Sequence, residues 1–443
     1  MICFSYVKNC GNTHENHKRE MKKILFLACC PVSLKIGKLL GMYCNFEKER
    51  IKYKVYDFTH AYTQLSPILF GKTHFLKKIS MLMRILIGNR YVKIIDRLLR
   101  YEMPDLLIVG DDGGVCSSAL RFCRDMKIPS IAIQVGLLTR SIRKDVISLL
   151  RARNYFPWRV ISRIFDNKLI IKVAKVFGIR FPNFEWGLNG ADFIFVTSTY
   201  HKELLIRRGV PKHKIVVTGY LLADEMYFLR RRFKKEDKIS LMKRYGLDLK
   251  KACLLILTQP LVEDGYCSYQ EYLNVVKALL EKIDISKYSI VIKIHPREKI
   301  GKYYEVIKNS RSSIKLLTDE RISLLDAILM SDVCITFYST SGIVALAIGR
   351  PLITLDVFKT SYENPFKDYA LNARNLSEFE NFLEYVEENK YQLPEHITKS
   401  ILNKYFGKID GKAHERAKRM LIKILKFYGS DKNDDYSSTS ETF

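Results

Sequence analysis

The sequence predicts an α/β protein built from two Rossmann-like, doubly wound domains that face each other across a cleft. Short apolar runs alternate with longer amphipathic runs along most of the chain, which is typical of strand-helix units with a parallel sheet. At 443 residues, the chain is too long for one compact core. Its content of 47% hydrophobic and 12% aromatic residues is sufficient to fill two cores.

The predicted strands form two successive sets, one in each half of the chain. Each is a short apolar run that ends in a polar or glycine-containing loop. In the first half, strands are predicted at 22–29, 52–57, 105–110, 130–134, 192–197 and 214–218. In the second half, they are predicted at 252–258, 289–294, 313–317, 332–337 and 351–356.

Shifts in composition place the domain boundaries. The segment YFLRRRFKKEDK, residues 227–238, is highly charged and is interpreted as either the linker or the first surface of the second domain. We therefore predict an N-terminal domain over 21–226 and a C-terminal domain over 227–428. Residues 1–20 are interpreted as an N-terminal extension. Residues 429–443 are polar, acidic and rich in Ser and Thr, which predicts a disordered tail.

The net charge of +27, from 74 Lys plus Arg against 47 Asp plus Glu, indicates a polyanionic partner. Segment 72–100 has 8 basic residues against Asp96, and segment 140–180 has 11 against Asp145 and Asp166. Both segments fit either basic amphipathic helices on an anionic membrane surface or helix faces packed on the sheet. The sequence lacks an RNP-like motif, zinc-finger spacing and a recognition helix, which argues against nucleic acid as the partner.

The cysteines and the hydropathy pattern indicate a cellular compartment. The 10 cysteines have no CxxC or metal-type spacing, and several lie inside apolar runs, which is typical of reduced thiols in a cytosolic protein. No stretch of the sequence approaches the length of apolar residues that a spanning helix needs. We expect a cytoplasmic protein, with peripheral attachment to the cytoplasmic face of the membrane as a further expectation.

Three loops of the second half carry groups that favour phosphate oxygens. Open parallel sheets bind ligands beyond the carboxyl ends of their strands, and the loops 258–260, 295–298 and 339–342 each follow a predicted strand. Together they supply an imidazole, a guanidinium, hydroxyl groups and a helix N-terminus. The predicted phosphate-binding residues are His295, Arg297, Ser339, Thr340, Ser341 and Gly342.

Each of these loops also has a plainer interpretation. The hydroxyl residues before the helix at 341 can be an ordinary capped turn between strand and helix. His295 alone can be a strand-end histidine bonded to backbone. The phosphate hypothesis rests on the occurrence of all three loops at one sheet edge.

The first half offers two candidate catalytic bases. Asp111 and Asp112 follow the predicted strand 105–110 and precede Gly113 and Gly114. We predict that one of these carboxylates accepts a proton during catalysis. An aspartate beside glycine is also typical of a tight turn, so this alternative stays open.

The order of several motifs resembles known enzyme families. In the first half, the similarity is to UDP-N-acetylglucosamine 2-epimerases, through DLLIVGD (105–111), KIPSIAIQVGLLT (127–139), ADFIFVTS (191–198) and GVPKHKIVVTG (209–219). In the second half, the chain resembles capsule-polysaccharide transferases of the Kdo-transferring type and, more distantly, CDP-glycerol polymer transferases. The motifs there are IKIHPR (292–297) and STSGIVALAIGRP (339–351). The resemblance covers residues 22–425 and implies the GT-B fold.

Three departures from these families bear on function. The epimerases have a catalytic glutamate where this chain has Gln134, and a His-Arg-Arg-Glu-Asn motif where it reads TQPLVED from Thr258. Val344 replaces a glutamate that holds the nucleotide ribose in both families. Epimerisation needs acid and base groups, so these losses favour transfer, whereas diphosphate binding survives them. The further cleft candidates are Gln134, Gly219, Thr258, Gln259 and Glu263.

The resemblance implies a glycosyltransferase of cell-surface polysaccharide assembly, such as capsule or O-antigen. The donor is expected to be a nucleotide-sugar and the acceptor a glycan or a lipid-linked sugar, with no separate cofactor. We expect no metal, because Asp111-Asp112 lacks the one-residue gap of a metal-binding DxD motif. The alternatives are an epimerase-like isomerase, a CDP-polyol phosphotransferase and a catalytically silent, membrane-associated binding protein.

Overall fold

The structure, a computed structural model, describes most of the chain between Met21 and Ser430. The described residues are 21–59, 92–110, 112, 114–136, 138, 186–262, 266–296, 298, 300–307, 314–318, 321–337, 339–358, 368–388, 391 and 393–430. The predicted extension 1–20, the basic segment 140–180 and most of the segment 72–100 lie outside these residues. The last described helix takes in the first two residues of the predicted tail, and the remainder, 431–443, lies outside as well.

Six parallel strands form the first sheet, in the order β2-β1-β3-β4-β5-β6. Each matches a predicted strand: β1 (Lys22–Ala28), β2 (Ile51–Asp57), β3 (Leu106–Val109), β4 (Ser130–Ile133), β5 (Phe193–Val196) and β6 (Ile215–Val217). Three of the four inner strands, β3, β4 and β5, are buried along their whole length. Apolar clusters lie on both faces of the sheet, which is why these strands are continuous apolar runs.

The second sheet also has six parallel strands, in the order β12-β11-β10-β7-β8-β9. Its strands are β7 (Ala252–Leu257), β8 (Tyr288–Lys293), β9 (Ile314–Leu317), β10 (Val333–Thr336), β11 (Leu352–Leu355) and β12 (Leu371–Ala373). The sequence analysis missed β12, an edge strand of 3 residues. Two sheets with apolar clusters on both faces confirm the predicted fold class.

The helices connect the strands and cover the sheets. In the first half they are α1 (Pro31–Cys44), α2 (residues 92–102), α3 (Gly114–Asp125), α4 (Thr199–Arg207) and α5 (Leu221–Arg232). In the second half they are α6 (Lys235–Arg244), α7 (Tyr269–Glu281), α8 (Gly301–Tyr304), α9 (Leu324–Met330), α10 (Ser341–Ile348), α11 (Leu376–Glu388), α12 (Glu395–Ile401) and α13 (Ala413–Ser430). Short 3-10 turns cover Phe46–Glu49 and Lys212–Lys214, and a π-helical turn covers Leu402–Phe406.

The last helix, α13, packs against the first sheet. Its residues Ala413, Ala417 and Leu421 are buried in the same apolar cluster as β1 and α1. Asp224 of α5 holds its first turn, since the carboxylate accepts hydrogen bonds from the backbone N of Ala413 at 3.0 Å and of His414 at 2.9 Å. The chain therefore crosses between the two sheets twice, once at α5 and once before α13.

Helix α5 lies at the first of these crossings. Leu221 belongs to a core cluster of the first sheet, and Met226 to a core cluster of the second. The predicted domain boundaries, 21–226 and 227–428, stay predictions.

The second crossing is fixed to the end of β5. Thr197 Oγ1 donates to the carbonyl O of Tyr405 at 2.7 Å, and Ser198 Oγ donates to that of Lys404 at 2.6 Å. Thr197 and Ser198 therefore both use their hydroxyl protons in these bonds. His201 Nδ1 lies 2.7 Å from Thr197 Oγ1, so the proton of this hydrogen bond is on Nδ1 and His201 is the donor. Burial lowers the pKa of His201 from 6.5 to about 3, so this imidazole is neutral at physiological pH.

Gly407 lets this crossing lie close to the first sheet. Its φ is +71°, and a Cβ placed on it would lie 2.4 Å from the carbonyl O of Thr197. A side chain at this position would therefore clash with backbone as well as strain its own conformation.

Eight cysteines lie in the described ranges, and all eight are free thiols. Six of them are buried, in agreement with their place in apolar runs. Among the described helices, none combines the length and the apolar character that a membrane span requires.

We predict that Gly407→Ala destabilises the protein by about 3 kcal/mol, because the new Cβ clashes with Thr197 O and the left-handed backbone is strained. Gly209→Ala is the matched control, since Gly209 has a φ of +91° but no atom within 4 Å of a built Cβ. It should lose only about 1 kcal/mol. Urea unfolding of both variants measures the difference, and equal losses would contradict the clash.

We also predict that His201 makes stability fall as the pH drops. Its folded pKa lies below the unfolded value, so the unfolded state binds the proton more readily, and stability decreases from about pH 6.5 downward. Between pH 7.5 and pH 5 the loss from this group is about 2 kcal/mol. His201→Asn, which does not titrate, should show a loss smaller by that amount in urea unfolding at the two pH values. An identical pH dependence in both proteins would refute the assignment.

Candidate active site

The carboxyl ends of β7, β8 and β10 meet at one edge of the second sheet. The parallel register pairs Leu257 with Lys293 on one side and with Thr336 on the other, so the loops that follow these residues lie side by side. They line a cleft of about 460 Å³. Residues from the predicted N-terminal domain that line the same cleft are Val32, Lys35, Val135, Gly136, Thr197, Tyr220, Leu222, Glu225 and Met226.

Five of the predicted site residues line this cleft: Thr258, His295, Ser339, Thr340 and Ser341. They come from three different loops that are far apart in the sequence. Gly342 is buried in the first turn of α10, directly behind Ser341. Of the six residues that the sequence analysis assigned to phosphate binding, the structure places His295, Ser339, Thr340 and Ser341 in the cleft lining, with Gly342 directly behind them. Their role in binding stays a prediction.

Hydroxyl groups hold the turn that precedes α10. Ser339 N donates to Thr336 Oγ1 at 3.2 Å, and Ser341 N donates to Ser339 Oγ at 3.3 Å. Ser339 therefore stabilises the turn from within. The residue at the N-cap of α10 is Thr340, whose side chain makes no capping hydrogen bond, and Ser339, Thr340 and Ser341 all line the cleft. The positive end of the α10 dipole also lies at the cleft, because the helix begins at Ser341.

Glu298 organises the loop that follows β8, and the sequence analysis missed it. It accepts a hydrogen bond from the hydroxyl of Thr258, and the backbone N of His295 lies 2.9 Å from Thr258 Oγ1 and 3.3 Å from Glu298 Oε2. Tyr303 donates to its Oε1 at 2.8 Å, and Lys302 Nζ lies 2.5 Å from the same oxygen. Burial raises the pKa of the Glu298 carboxyl, while the Lys302 ammonium favours the ionised form.

Three charged residues in the cleft lining were not predicted as site residues. Lys293 ends β8, is 4% exposed and lines the cleft. Lys35 of α1 and Glu225 of α5 form an ion pair across the cleft wall, with Nζ and Oε2 2.6 Å apart. Side chains alternate between the two faces of the sheet along β8, but the sequence does not show which face carries the site. It therefore could not place Lys293 in the cleft. No sequence signal marks Glu225.

The first-half candidates lie outside the cleft lining as far as the structure describes them. Asp112 is 1% exposed, and its Oδ2 accepts hydrogen bonds from the backbone N of Gly187 at 2.8 Å and of Asn189 at 3.2 Å. This geometry favours a structural role for Asp112, as a link to the loop 187–189, over the role of a base. Asp111, the other candidate base, lies outside the described residues, as do Arg297 and Glu263.

The remaining candidates have structural contacts. The amide of Gln134 joins two loops, since its Oε1 accepts from Thr197 N at 3.1 Å and its Nε2 donates to the carbonyl O of Gly136 at 2.7 Å. Gly219 has a φ of +91° and lies against Arg416 of α13. Gln259 is partly buried beside Thr258 and is not among the described lining residues.

Part of the chain is similar to a known protein family and to a protein of Haemophilus influenzae. The family model of Alpha-2,8-polysialyltransferase (POLYST) matches residues 209–347, which include β7, β8, β10 and most of α10. An uncharacterized protein of Haemophilus influenzae is 36% identical over 142 residues. The matched region is 31% of this chain and 44% of that protein, so the chain spans less than half the length of this relative.

Solved structures share the fold across nearly the whole chain. The Staphylococcus aureus MnaA–UDP co-structure has a TM-score of 0.56 at 16% identity and covers 95% of this chain and 100% of its own. The UDP-GlcNAc 2-epimerase of Neisseria meningitidis bound to UDP-GlcNAc has a TM-score of 0.57 at 14% identity, with 91% and 100% covered.

A third similar structure is the wall teichoic acid polymerase TagF with CDPG. It has a TM-score of 0.50 at 11% identity and covers 91% of this chain and 89% of its own. The predicted resemblance is therefore confirmed: this chain has the GT-B fold of two facing parallel sheets, and its second half carries the similarity to polysialyltransferases.

Proposed function

We propose that this protein is a glycosyltransferase that moves a sugar from a nucleotide donor to a polysaccharide of the cell surface. The GT-B fold and the match to the polysialyltransferase family support this class. The observation that carries the proposal is the convergence of three strand-end loops, containing Thr258, His295 and Ser341, on one cleft. The name of the matched family makes a sialic acid carried on CMP the first donor to test.

The donor lies in the cleft with its phosphate against the second sheet. His295, Lys293 and the start of α10 supply hydrogen bonds and positive potential there. As the glycosidic bond lengthens, positive charge develops on the sugar and negative charge on the leaving phosphate. Groups that are already fixed at the phosphate stabilise the transition state more than the ground state, and one such donor contributes about 3 kcal/mol.

The first sheet supplies the acceptor side of the cleft. The attacking hydroxyl must lose its proton to a base as the new bond forms. In this proposal Asp111 is that base, because Asp112 binds the backbone of the loop 187–189. The proposal includes no metal and no separate cofactor. The proposal therefore requires that a metal chelator leave the activity unchanged.

The alternatives remain distinguishable by chemistry. An epimerase-like isomerase is less favoured, because the amide of Gln134 holds two loops together and an amide does not accept a proton as a base. A CDP-polyol phosphotransferase would release CMP from its donor, and an epimerase would release UDP without an acceptor. A catalytically silent binding protein would release no nucleotide.

We further propose that the enzyme works at an anionic membrane surface. The net charge of +27 supports this, as does helix α2, which exposes Ile94, Arg97 and Tyr101 on one face. Tyr101 is 85% exposed. A basic face with exposed apolar side chains fits the interface of an anionic bilayer.

Incubation with CMP-, UDP- and CDP-activated donors tests the function. Release of CMP from a CMP-activated sialic acid, with growth of a glycan acceptor, is the expected result. UDP release from UDP-GlcNAc without an acceptor would favour the isomerase. No release from any donor, with no thermal stabilisation by any nucleotide, would favour the silent binding protein.

We predict that Lys293→Met weakens nucleotide binding about 10- to 100-fold, because a charge-assisted hydrogen bond to phosphate is lost while the volume of the buried side chain is kept. Lys315→Met is the control: this lysine lies on the adjacent strand β9 of the same sheet but not in the described cleft lining. Isothermal titration calorimetry with CMP, CDP and UDP measures both variants. An equal effect of the two substitutions would remove Lys293 from the site.

For the membrane proposal, we predict binding to phosphatidylserine-containing vesicles at low salt and release at high salt, since counterions screen the attraction. Arg97→Glu with Arg100→Glu should lower recovery in flotation. Arg244→Glu, at an exposed residue at the end of α6, is the control and should leave recovery unchanged. Equal recovery on neutral and anionic vesicles would exclude the electrostatic mode.

A further inference from the structure

A buried polar cluster lies under the loop that carries His295. It consists of Glu298, Lys302, Tyr303 and Tyr272, and the side chains of Glu298 and Lys302 are 0% and 5% exposed. None of these four is among the described residues that line the cleft. The cluster therefore acts on a bound ligand only through the loop above it.

Four hydrogen-bond donors converge on the Glu298 carboxylate. Oε1 receives the Tyr303 hydroxyl at 2.8 Å and the Lys302 ammonium at 2.5 Å. Oε2 receives the Thr258 hydroxyl, and the backbone N of His295 approaches it at 3.3 Å. A carboxylate is the side chain that accepts on both sides and donates on neither, so it is the group that satisfies all four donors.

Tyr272 and Lys302 complete the cluster on the side away from the cleft. The hydroxyl groups of Tyr272 and Tyr303 lie 3.0 Å apart, and Lys302 Nζ lies 4.6 Å from the centre of the Tyr272 ring. The ammonium also neutralises the carboxylate. This matters because an unpaired negative charge below the loop would repel a phosphate bound above it.

We propose that Glu298 is a positioning residue that fixes the Thr258 hydroxyl and the backbone of His295, so that the loop presents His295 to the donor phosphate. Lys302 cancels the charge of Glu298 and has no direct part in binding. That the loop binds a nucleotide phosphate rests on the proposed function. That Glu298 fixes the loop can be measured in the protein without a ligand.

Replacement by glutamine breaks the arrangement in a defined way. The amide of Glu298→Gln has one acceptor side and one donor side. If its oxygen faces Thr258 and His295, its NH2 group meets the Lys302 ammonium; if it is reversed, its NH2 group meets the His295 N–H. In either orientation two donors face each other, so the loop loses its fixed position.

The double substitution Glu298→Gln with Lys302→Met removes this conflict. The amide oxygen can then accept from Thr258 and His295, while the NH2 group donates to the Tyr303 hydroxyl, which in turn donates to Tyr272. The donors left without an acceptor, the second amide hydrogen and the Tyr272 hydroxyl, are not those that hold Thr258 and His295. The loop should regain its position although both charges are gone. If the charge of Glu298 or of Lys302 acted directly on the ligand, the double variant would not recover nucleotide binding.

Hydrogen–deuterium exchange of the segment 293–300 measures the loop itself. Glu298→Gln should accelerate exchange of the His295 amide about tenfold or more, and the double variant should restore it. Calorimetric titration with CMP, CDP and UDP should show the same pattern: binding weakened about tenfold or more in the single variant and within about threefold of wild type in the double. Thr258→Val removes the hydroxyl that joins Glu298 to His295 and should accelerate exchange even if Glu298→Gln does not fold.

Two controls separate positioning from stability. Val386→Ala removes apolar contacts in the same core cluster and should lower the unfolding temperature without changing exchange at His295. Glu380→Gln breaks an exposed ion pair with Lys282 and should change neither. Unchanged exchange in both Glu298→Gln and Thr258→Val, or a folded double variant that exchanges as fast as the single one, overturns the proposal. If the variants show the expected exchange pattern but the wild-type protein binds no nucleotide, the proposed function is overturned and the positioning role of Glu298 is not.

Discussion

Parallel pairing of the strands is the constraint on which the site depends. In a parallel sheet all strands end at the same edge, so every loop that follows a strand lies there. The register of β7 with β8 and β10 places Thr258, His295 and Ser339 at neighbouring strand ends. A slip of one residue between β7 and β8 would turn Lys293 to the opposite face of the sheet and take its charge out of the cleft.

The charges of the cleft are unevenly divided between its two sides. On the first-half side, Lys35 is neutralised by Glu225. On the second-half side, Lys293 and the start of α10 contribute positive potential, and the buried carboxylate of Glu298 is compensated by Lys302. In the proposed function, Lys293 and the start of α10 therefore lie on the side of the cleft where the leaving phosphate would bind. The net charge of +27 acts at longer range, on polyanionic acceptors and surfaces.

The sequence predicts the fold well because buried parallel strands are continuous apolar runs, and eleven such runs stand out between amphipathic segments. It fails at β12, whose three residues, LNA, include a central polar residue and form no apolar run, unlike the equally short IVV of β6. At the site, it predicts that the loops after strands meet, since topology requires it. It could not predict Glu298, because a glutamate in a polar loop is usually exposed, and its burial depends on Thr258 and Lys302. For Asp112, the partners Gly187 and Asn189 are far away in the sequence, so only the fold distinguishes a base from a turn former.

The lining of the cleft also explains why binding should concentrate on the phosphate. Val344 lies in the lining where the resembling families have a ribose-binding glutamate, so this chain offers an apolar contact at that point. Tyr220 and Phe406 stack with ring centres 5.1 Å apart and both line the cleft, which adds apolar surface near the crossing between the sheets. In the proposed function, the buried carboxylate of Glu298 holds the His295 loop in place before the donor binds, so the same contact contributes both to donor affinity and to stabilisation of the leaving group.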